Sequence, residues 1–330
     1  MSQGSEAVAA PVGAHRSIHH WGEWWLVAWG VLALAATPFV TGFWLYLFTI
    51  AAAKALVVLG LLLLMRTGLV SFGQGLYYAV GAYTVGMLGQ LAGVQELGLL
   101  LGGALLLGGV TGAIIGALLC RYRGIFFAMF SLAVSMILYG VLVKMEVLGS
   151  TDGFNVVSPA MGGWQPEGDL GNRLLFAVAM VLVFGAALVA RRYRYAPIGR
   201  YCEGVKENEL RVEYLGVAAR QVVWVTYLGA ALLAATGGAI TALATGHVGP
   251  EMAYWTTSGE FVFIALLGGT GHVAAALLGA VLFEVIYTFA FELSPYTWQL
   301  ILGSALLLII LFLPEGLWSL PARLGRWVRS

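Results

Sequence analysis

Ten apolar stretches limit what this chain can fold into more than any other feature of its sequence. A helix needs about 20 residues to cross the hydrocarbon core of a bilayer, and most of these stretches approach or exceed that length. Charged residues make up only 10% of the chain, against about 25% in an average soluble domain. We therefore predict an all-α polytopic membrane protein with about ten transmembrane helices. The predicted spans are 24–40, 43–65, 69–92, 97–119, 125–143, 174–190, 222–244, 259–267, 273–291 and 298–313.

Basic residues predict how these spans are oriented, because Lys and Arg collect in cytoplasmic loops. Arg66, the pair Arg121 and Arg123, and the loop 191–221 all fall on one side if ten crossings start from a cytoplasmic N-terminus. The basic C-terminal end falls on that side too. The predicted organisation is a cytoplasmic tail at 1–23, a transmembrane domain at 24–320 and a cytoplasmic tail at 321–330.

The loop 191–221 is the only long, densely charged interval of the chain. It contains seven Lys and Arg and four Glu. Apolar residues recur in it near helical spacing, and Pro197 suits the first position of a helix. We predict one or two short amphipathic helices that present a shaped surface to a partner outside the membrane. The alternative is a solvated loop that only sets the topology.

Two glycine-rich stretches, 67–75 and 267–272, interrupt the apolar pattern, one in each half of the chain. Their placement suggests two pseudo-repeated halves with Gly-broken helices, which point to a substrate path. A helix N-terminus at such a break offers free N–H groups to an anion such as a carboxylate. Alternatively, the glycines only permit close packing or tight turns. The predicted path comprises Thr67, Ser71, Gly73, Gln74, Gly75, Gly268, Gly269 and Gly271.

Lys54 lies near the middle of the predicted span 43–65, too far from either end to reach water comfortably. A cation at the centre of a bilayer is unfavourable by about 3 kcal/mol or more unless it faces water or a counter-charge. Glu260 and Glu284 are the candidate partners, because they lie at similar depth in their spans. Lys54 and Glu260 therefore join the predicted substrate path, although a structural ion pair between helices would explain the same pattern.

Common catalytic and nucleotide-binding motifs are missing from the sequence. It contains no Gly-x-x-x-x-Gly-Lys-Ser/Thr phosphate loop, no His-Glu-x-x-His pattern and no Gly-x-Ser-x-Gly pattern. We therefore predict no catalytic residue, no metal site and no cofactor, so the chain is not expected to be an enzyme. If transport by this chain uses ATP, another chain must hydrolyse it.

Several motifs together resemble one family. In their order and spacing, over roughly 43–317, they resemble the branched-chain amino acid ABC transporter permease family, in particular its LivM type, which is related to permeases for urea and short amides. The motifs are Thr67-Gly68-x-x-Ser71-x-Gly73-x-Gly75, Arg123-Gly124-Ile125-Phe126-Phe127-Ala128-Met129, Thr151-Asp152-Gly153, Pro197-Ile198-Gly199-Arg200, Glu207-Asn208-Glu209, Leu215-Gly216-Val217, Gly249-Pro250, Ser258-x-Glu260, Leu267-Gly268-Gly269-x-Gly271 and Phe312-x-Pro314-Glu315-Gly316-Leu317.

The resemblance implies the permease subunit of a binding-protein-dependent ABC importer, working by alternating access in a bacterial inner membrane. Its partners would be a second permease subunit, two cytoplasmic ATPase subunits and a periplasmic solute-binding protein. It also implies that 198–217 couples the permease to an ATPase, with an apolar face in a cleft of that subunit and charged residues setting the register. The implied coupling residues are Ile198, Gly199, Arg200, Tyr201, Val205, Lys206, Glu207, Asn208, Glu209, Leu215 and Gly216.

The chain departs from the family pattern in its first half. Leu61 and Met65 stand where family members commonly have Asn and Gly, Gln74 stands where His or Tyr is common, and Lys54 adds a charge. The substrate therefore stays open between branched-chain amino acids, other amino acids, urea and short amides. A secondary transporter or channel also stays open, in which Lys54 and its two candidate partners relay ions or protons without an ATPase.

Overall fold

The computed structural model describes residues 28–32, 37, 42–166, 168–294, 296–312 and 316–319, and most of these are helical. Both predicted tails and most of the predicted span 24–40 lie outside the described residues. The helices are α1 (Gly42–Met65), α2 (Gln74–Leu91), α3 (Leu97–Leu119), α4 (Gly124–Lys144), α5 (Asp169–Tyr195), α6 (Pro197–Glu207), α7 (Glu209–Tyr214), α8 (Ala219–Thr245), α9 (Trp255–Gly268), α10 (Ala274–Leu293) and α11 (Trp298–Phe312). Short 3₁₀ helices cover Glu146–Leu148, Pro250–Ala253 and Leu317–Ser319, and the strands are β1 (Phe154–Asn155) and β2 (His247–Val248).

Six of the described helices are long and apolar enough to cross a membrane: α1, α3, α4, α5, α8 and α10. The prediction of an all-α polytopic membrane protein is thereby confirmed, whereas the number of ten crossings stays a prediction. Helix α2 begins at Gln74 rather than at 69, because the glycine-rich residues before it are not helical. Helix α9 has 14 residues, which makes it about 21 Å long and too short to cross a core of about 30 Å alone.

Helix α8 packs against both α1 and α2 through small residues. A Cβ atom on Gly60 of α1 would lie 2.7 Å from the Cα of Ala230 in α8. Between α2 and α8 the approach is closer, because a Cβ on Gly81 would overlap the backbone of Ala235 and a Cβ on Gly238 would overlap the backbone of α2. Such close packing through glycine is common between membrane helices, where van der Waals contact replaces the hydrophobic effect. These three helices form the centre of the fold.

The connections on one face of the protein, here called the β face, are joined to one another. Strand β1 pairs with β2 in an antiparallel ladder, which links the connection 145–168 to the connection 246–254. At the start of α3 the carboxylate of Glu96 accepts hydrogen bonds from the backbone N–H groups of Gly162 and Gly163. Connections that are far apart in the sequence therefore form a single layer on this face.

Helices α6 and α7 lie on the opposite face, here called the α6–α7 face. Pro197 is the first residue of α6, as the sequence predicts. The side chain of Asn208 caps α7 by accepting a hydrogen bond from the backbone N–H of Arg211 at 3.1 Å. The prediction of one or two short helices within 191–221 is thereby confirmed, because the structure has two.

Candidate functional site

Most of the first glycine-rich stretch, 67–75, is non-helical, because residues 66–73 connect α1 to α2 and only Gln74 and Gly75 of the stretch belong to α2. Two buried serines from distant helices hold it in place. The N–H of Phe72 donates to Oγ of Ser131 in α4 at 3.0 Å, and the N–H of Gly75 donates to Oγ of Ser258 in α9 at 2.9 Å. The start of α2 is thereby fixed between α4 and α9.

Glycine at positions 73 and 75 allows this close approach. A Cβ atom on Gly73 would lie 2.9 Å from the carbonyl oxygen of Ser131, and one on Gly75 would lie 2.8 Å from Oγ of Ser258. Both separations are shorter than ordinary contacts of a Cβ atom. A side chain at either position would therefore push the start of α2 away from its two neighbours.

Gln74, the first residue of α2, is fully buried. Neither atom of its side-chain amide has a hydrogen-bond partner among the described residues. An unsatisfied buried polar group costs about 1–3 kcal/mol, so folded proteins rarely leave one. The positive end of the α2 dipole lies at the same place. Gln74 is therefore the best candidate in this region for contact with a polar ligand.

Lys54 lies between the two acidic residues that the sequence predicts as its partners. Its Nζ is 2.9 Å from Oε2 of Glu284 and 3.6 Å from Oε2 of Glu260. The side chains of Lys54, Glu284 and Glu260 are 12%, 8% and 26% exposed. The rings of Phe283 and Tyr287 lie 5.1 and 5.2 Å from Nζ and interact with its charge. When fully ionised, this cluster has one more carboxylate than it has ammonium groups.

The charged cluster and the break before α2 lie at a similar depth. Lys54, Glu260 and Glu284 are about 12–17 Å along their helices from the helix ends on the α6–α7 face. Ser258, which binds the start of α2, lies close to Glu260 in α9. Since a bilayer core is about 30 Å thick, both features lie near its middle. We call them together the mid-depth layer.

The second glycine-rich stretch lies elsewhere, at the α6–α7 face. Helix α9 ends at Gly268, and Gly269 adopts a φ of 92°, which favours glycine. Gly316 of the C-terminal segment lies directly against Gly269. The ring of His272 stacks on the ring of Trp318, with centroids 4.2 Å apart. This stretch is a surface turn that the C-terminal segment covers.

Cationic groups surround this turn. Nη1 of Arg194 donates a hydrogen bond to the carbonyl oxygen of Gly271 at 2.7 Å. Burial lowers the pKa of His272, and the charges of Arg191 and Arg194 lower this pKa further. Nδ1 of His272 accepts a hydrogen bond from the N–H of Ala274 at 3.1 Å. A neutral ring with its proton on Nε2 satisfies both observations.

The structure does not bring all the predicted pathway residues together. Ser71, Gly73, Gln74 and Gly75 lie together at the break before α2, where Oγ of Ser71 accepts a hydrogen bond from the N–H of Gly73 at 3.2 Å. Lys54 and Glu260 lie at a similar depth to these four residues. Thr67 donates its hydroxyl to the last turn of α1, and Gly268, Gly269 and Gly271 belong to the surface turn.

Two ion pairs hold α6 and α7 against the membrane domain. Arg123, next to the start of α4, donates two hydrogen bonds to the carboxylate of Glu209, at 2.7 and 2.9 Å. Arg66, next to the end of α1, pairs with Glu203 of α6. In addition, the buried thiol of Cys202 lies 3.3 Å from Oγ1 of the α8 residue Thr226. Each of α1, α4 and α8 therefore has a polar contact with this pair of helices.

The predicted coupling residues differ in exposure. Val205 is buried within this chain, and Ile198 and Tyr201 are half-buried against its core. The apolar face of α6 thus packs on its own membrane domain, whereas coupling of 198–217 to an ATPase stays a prediction. Gly199 is buried and Glu209 half-buried. The exposed members are Arg200, Lys206, Glu207, Asn208, Leu215 and Gly216.

The family described as "Branched-chain amino acid transport system / permease component" matches residues 43–311. The chain belongs to this family. It is therefore a transport permease rather than an enzyme, and it is an integral membrane protein. The permease is 28% identical over 273 residues to the high-affinity branched-chain amino acid transport system permease protein LivM of Escherichia coli K12, covering 76% of this chain and 64% of LivM.

Two other relatives match the permease. The high-affinity branched-chain amino acid transport system permease protein LivH of Escherichia coli K12 is 23% identical over 290 residues, which covers 83% of this chain and 93% of LivH. The corresponding permease protein BraD of Pseudomonas aeruginosa is 28% identical over 149 residues, covering 45% of this chain and 47% of BraD. The permease thus spans less than two thirds of the LivM length. None of the solved structures matches it significantly.

Sequence reasoning missed several residues that build the mid-depth layer of the permease. Ser258 belongs to a motif that resembles the family, but the roles of Ser131 and Ser258 as hydrogen-bond acceptors for the break were not predicted. The pairing of Arg123 with Glu209 was missed as well. Each of these contacts joins residues far apart in the chain, so nothing in the local pattern specifies them.

Proposed function

We propose that this permease is the transmembrane subunit of a binding-protein-dependent ABC importer that moves branched-chain or other amino acids. The names of the relatives LivM, LivH and BraD support the class of substrate. The proposed arrangement has ten crossings in two pseudo-repeated halves, in the inner membrane of a bacterium. Both termini and the α6–α7 face are cytoplasmic, in agreement with the basic residues Arg66, Arg123 and Arg220 near that face.

The amide of Gln74 in the mid-depth layer, which has no hydrogen-bond partner in the regions that the structure describes, is the observation that supports a substrate site most strongly. Its Nε2 group is a hydrogen-bond donor, and the positive end of the α2 dipole lies beside it, so the pair suits the carboxylate of an amino acid. Glu260 is the most exposed residue of the charged cluster. Its carboxylate suits the α-ammonium group of the same class of substrate.

Movement of α6 and α7 can reach the mid-depth layer along single helices. The pair Arg123–Glu209 joins α7 to the start of α4, and α4 contributes Ser131 to the break before α2. The pair Arg66–Glu203 joins α6 to the end of α1, which contains Lys54. ATP-driven closure of two partner ATPases would therefore act on both mid-depth features, as alternating access requires.

The proposed ATPase docking surface is the exposed part of α6 and α7. Tyr214 and Leu215 are 88% and 69% exposed there, and large exposed apolar residues often mark protein contacts. The double variant Tyr214→Asp with Leu215→Asp should therefore lose the ATPase subunits during purification. Val147→Asp is the control, because Val147 is equally exposed, at 77%, but on the β face. Retention of the ATPases by the double variant would refute docking at this surface.

The experiment that tests the proposed function begins with affinity purification of the permease from its native membrane. We expect two ATPase subunits, a second permease subunit and a periplasmic solute-binding protein to accompany it. Reconstituted in liposomes, this complex should take up radiolabelled leucine only with ATP and the binding protein. Recovery of the permease alone, together with uptake driven by an ion gradient, would instead establish a secondary transporter built around Lys54.

Urea or a short amide is the second candidate substrate class, favoured by the amide of Gln74. A carboxamide both donates and accepts hydrogen bonds, so it can pair with another amide in a planar, bidentate way. Competition between leucine and urea or acetamide in the reconstituted complex separates the two classes. Leucine uptake that is inhibited by other amino acids but not by either amide would exclude the second class.

A further inference from the structure

A narrow crevice lies at the α6–α7 face, outside the mid-depth layer and apart from the exposed surface of α7. It is bounded by the ends of α1 and α5 and by the turn between α9 and α10. Its inner walls are apolar and its mouth is polar. Leu62 and Val273 belong to the apolar walls, and Arg66, Arg194, Thr270 and His272 to the mouth.

The polar side chains at the mouth are arranged as hydrogen-bond donors. Nη1 of Arg66 is buried and has no hydrogen-bond partner among the described residues. Arg194 uses Nη1 for the carbonyl of Gly271. His272 accepts at Nδ1, so its neutral ring presents Nε2–H as a donor. A ligand rich in acceptors would satisfy these groups.

The charge at the mouth is positive. The residues that line the crevice within the described part of the chain include no Asp or Glu. Glu203 lies next to it on α6 and pairs with Arg66. Nη1 of Arg194 binds the carbonyl oxygen of Gly271, which carries no compensating charge. The lowered pKa of His272 is in keeping with this excess of positive charge, to which burial adds.

We propose that the mouth of this crevice binds the phosphate group of an anionic phospholipid. Guanidinium groups bind phosphate oxygens strongly, because several N–H donors point in one plane. Basic pockets between membrane helices are typical sites for acidic lipid headgroups. The apolar walls at Leu62 and Val273 lie beside the mouth, where the acyl chains of a lipid would begin. Inorganic phosphate shares the headgroup chemistry but would leave these walls against water.

The guanidinium group of Arg66 would bind such a lipid and α6 at the same time. The amino group Nη2 of Arg66 binds Glu203, whereas Nη1 is left for the phosphate. Lipid and helix would then fix the same side chain from two directions. The site therefore ties the presence of acidic lipid to the position of α6, whether or not α6 contacts an ATPase.

The test is native mass spectrometry of the delipidated full-length permease titrated with phosphatidylglycerol or phosphatidylcholine. We expect saturable binding of phosphatidylglycerol that is weakened about fivefold by Arg194→Gln and more by Arg194→Gln combined with Arg66→Gln, since each arginine near a membrane surface contributes about that factor. Arg121→Gln is the matched control, because Arg121 is an exposed cation outside the crevice. Equal weakening in the control, or no difference between the two lipids, would overturn the proposal.

A second variant is expected to strengthen binding, a result that damage to the fold would not produce. Glu203→Gln removes the acid beside the crevice and keeps both arginines, so phosphatidylglycerol should bind more tightly. Unchanged or weaker binding in this variant would also contradict the site. Inorganic phosphate, added in excess, distinguishes the sources of the anion. If it displaces the lipid headgroup completely and binds the wild-type permease without lipid, the site belongs to free phosphate and the lipid assignment is wrong.

Discussion

The two glycine-rich stretches are alike in the sequence and different in the structure. The stretch before α2 lies in the mid-depth layer, where Ser131 and Ser258 bind its backbone and the Gln74 amide has no hydrogen-bond partner within the described part of the chain. The stretch after α9 is a surface turn, covered by Trp318 and bound by Arg194. The same composition therefore serves a break inside the membrane in one half and a turn at its surface in the other.

The difference shows that glycine content locates an interruption but not its depth. Depth is decided by residues that approach from elsewhere in the chain. At the first stretch these are hydroxyl groups on α4 and α9, which satisfy backbone N–H groups away from water. At the second stretch an aromatic ring and a guanidinium group approach from the C-terminal segment and α5. We expect substitutions in the deeper region to lower stability more than substitutions at the surface turn.

The largest effect is expected from the charged residue at mid-depth. Lys54→Met leaves Glu260 and Glu284 without their counter-charge, and breaking a buried ion pair in this way costs about 3–5 kcal/mol. The counterpart near the surface turn is Arg194→Met, which removes one hydrogen bond and should cost about 1 kcal/mol. Thermal unfolding in detergent measures both. Equal losses of stability in the two variants would mean that the mid-depth ion pair is no more important to the fold than the hydrogen bond at the surface turn.

The next effect compares two glycines with the same substitution. Gly73→Ala places a Cβ 2.9 Å from a carbonyl oxygen, whereas in Gly271→Ala the nearest atom, on Trp318, is 3.9 Å away. Overpacking of the first kind costs about 1–3 kcal/mol, so Gly73→Ala should lower the unfolding temperature and the uptake of leucine. Gly271→Ala should leave both unchanged. A tolerated Gly73→Ala would show that the break adjusts freely and that glycine is not required there.

Gln74→Leu should separate transport from stability. It removes a buried amide that has no hydrogen-bond partner among the described residues, so stability should stay the same or rise by about 1 kcal/mol. If the amide binds substrate, uptake should fall at least about tenfold, as expected for a lost hydrogen bond to a charged group. Gln90→Leu is the control, since Gln90 lies in the same helix and bonds to a backbone carbonyl on the β face. Normal uptake by Gln74→Leu would remove Gln74 from the proposed site.

The smallest effect concerns the surface turn and pH. The pKa of His272 is lowered in the folded state by burial and by Arg191 and Arg194. Below about pH 6.5 the unfolded chain therefore binds a proton that the folded chain does not, and stability falls as the pH decreases. His272→Gln should reduce this slope when unfolding is measured from pH 7 to 5 in a neutral detergent. An identical slope in this variant would mean that His272 titrates normally.

Much of the fold could be predicted from the sequence, because long apolar runs allow few alternatives in a membrane. The helices α3, α4 and α10 lie within a few residues of their predicted bounds, and the pairing of Lys54 with two acids follows from their depth along the spans. The start of α2 and the buried side of α6 could not be predicted. Both depend on contacts across more than one helix, such as the bond from Gly75 to Ser258, which joins residues far apart in the sequence.

The backbone contact between α2 and α8 limits how this permease can change shape. Because no side chain separates the helices at Gly81 and Gly238, sliding one along the other would drive carbonyl groups together. The two helices are therefore expected to move as one rigid body, taking the Tyr77–Tyr227 hydroxyl pair with them. In the proposed alternating access, opening and closing would then occur where ordinary side chains separate the helices, such as beside α4 and α9. Because the glycines lock α2 to α8, relative movement is expected instead between α2 and the helices that contribute Ser131 and Ser258.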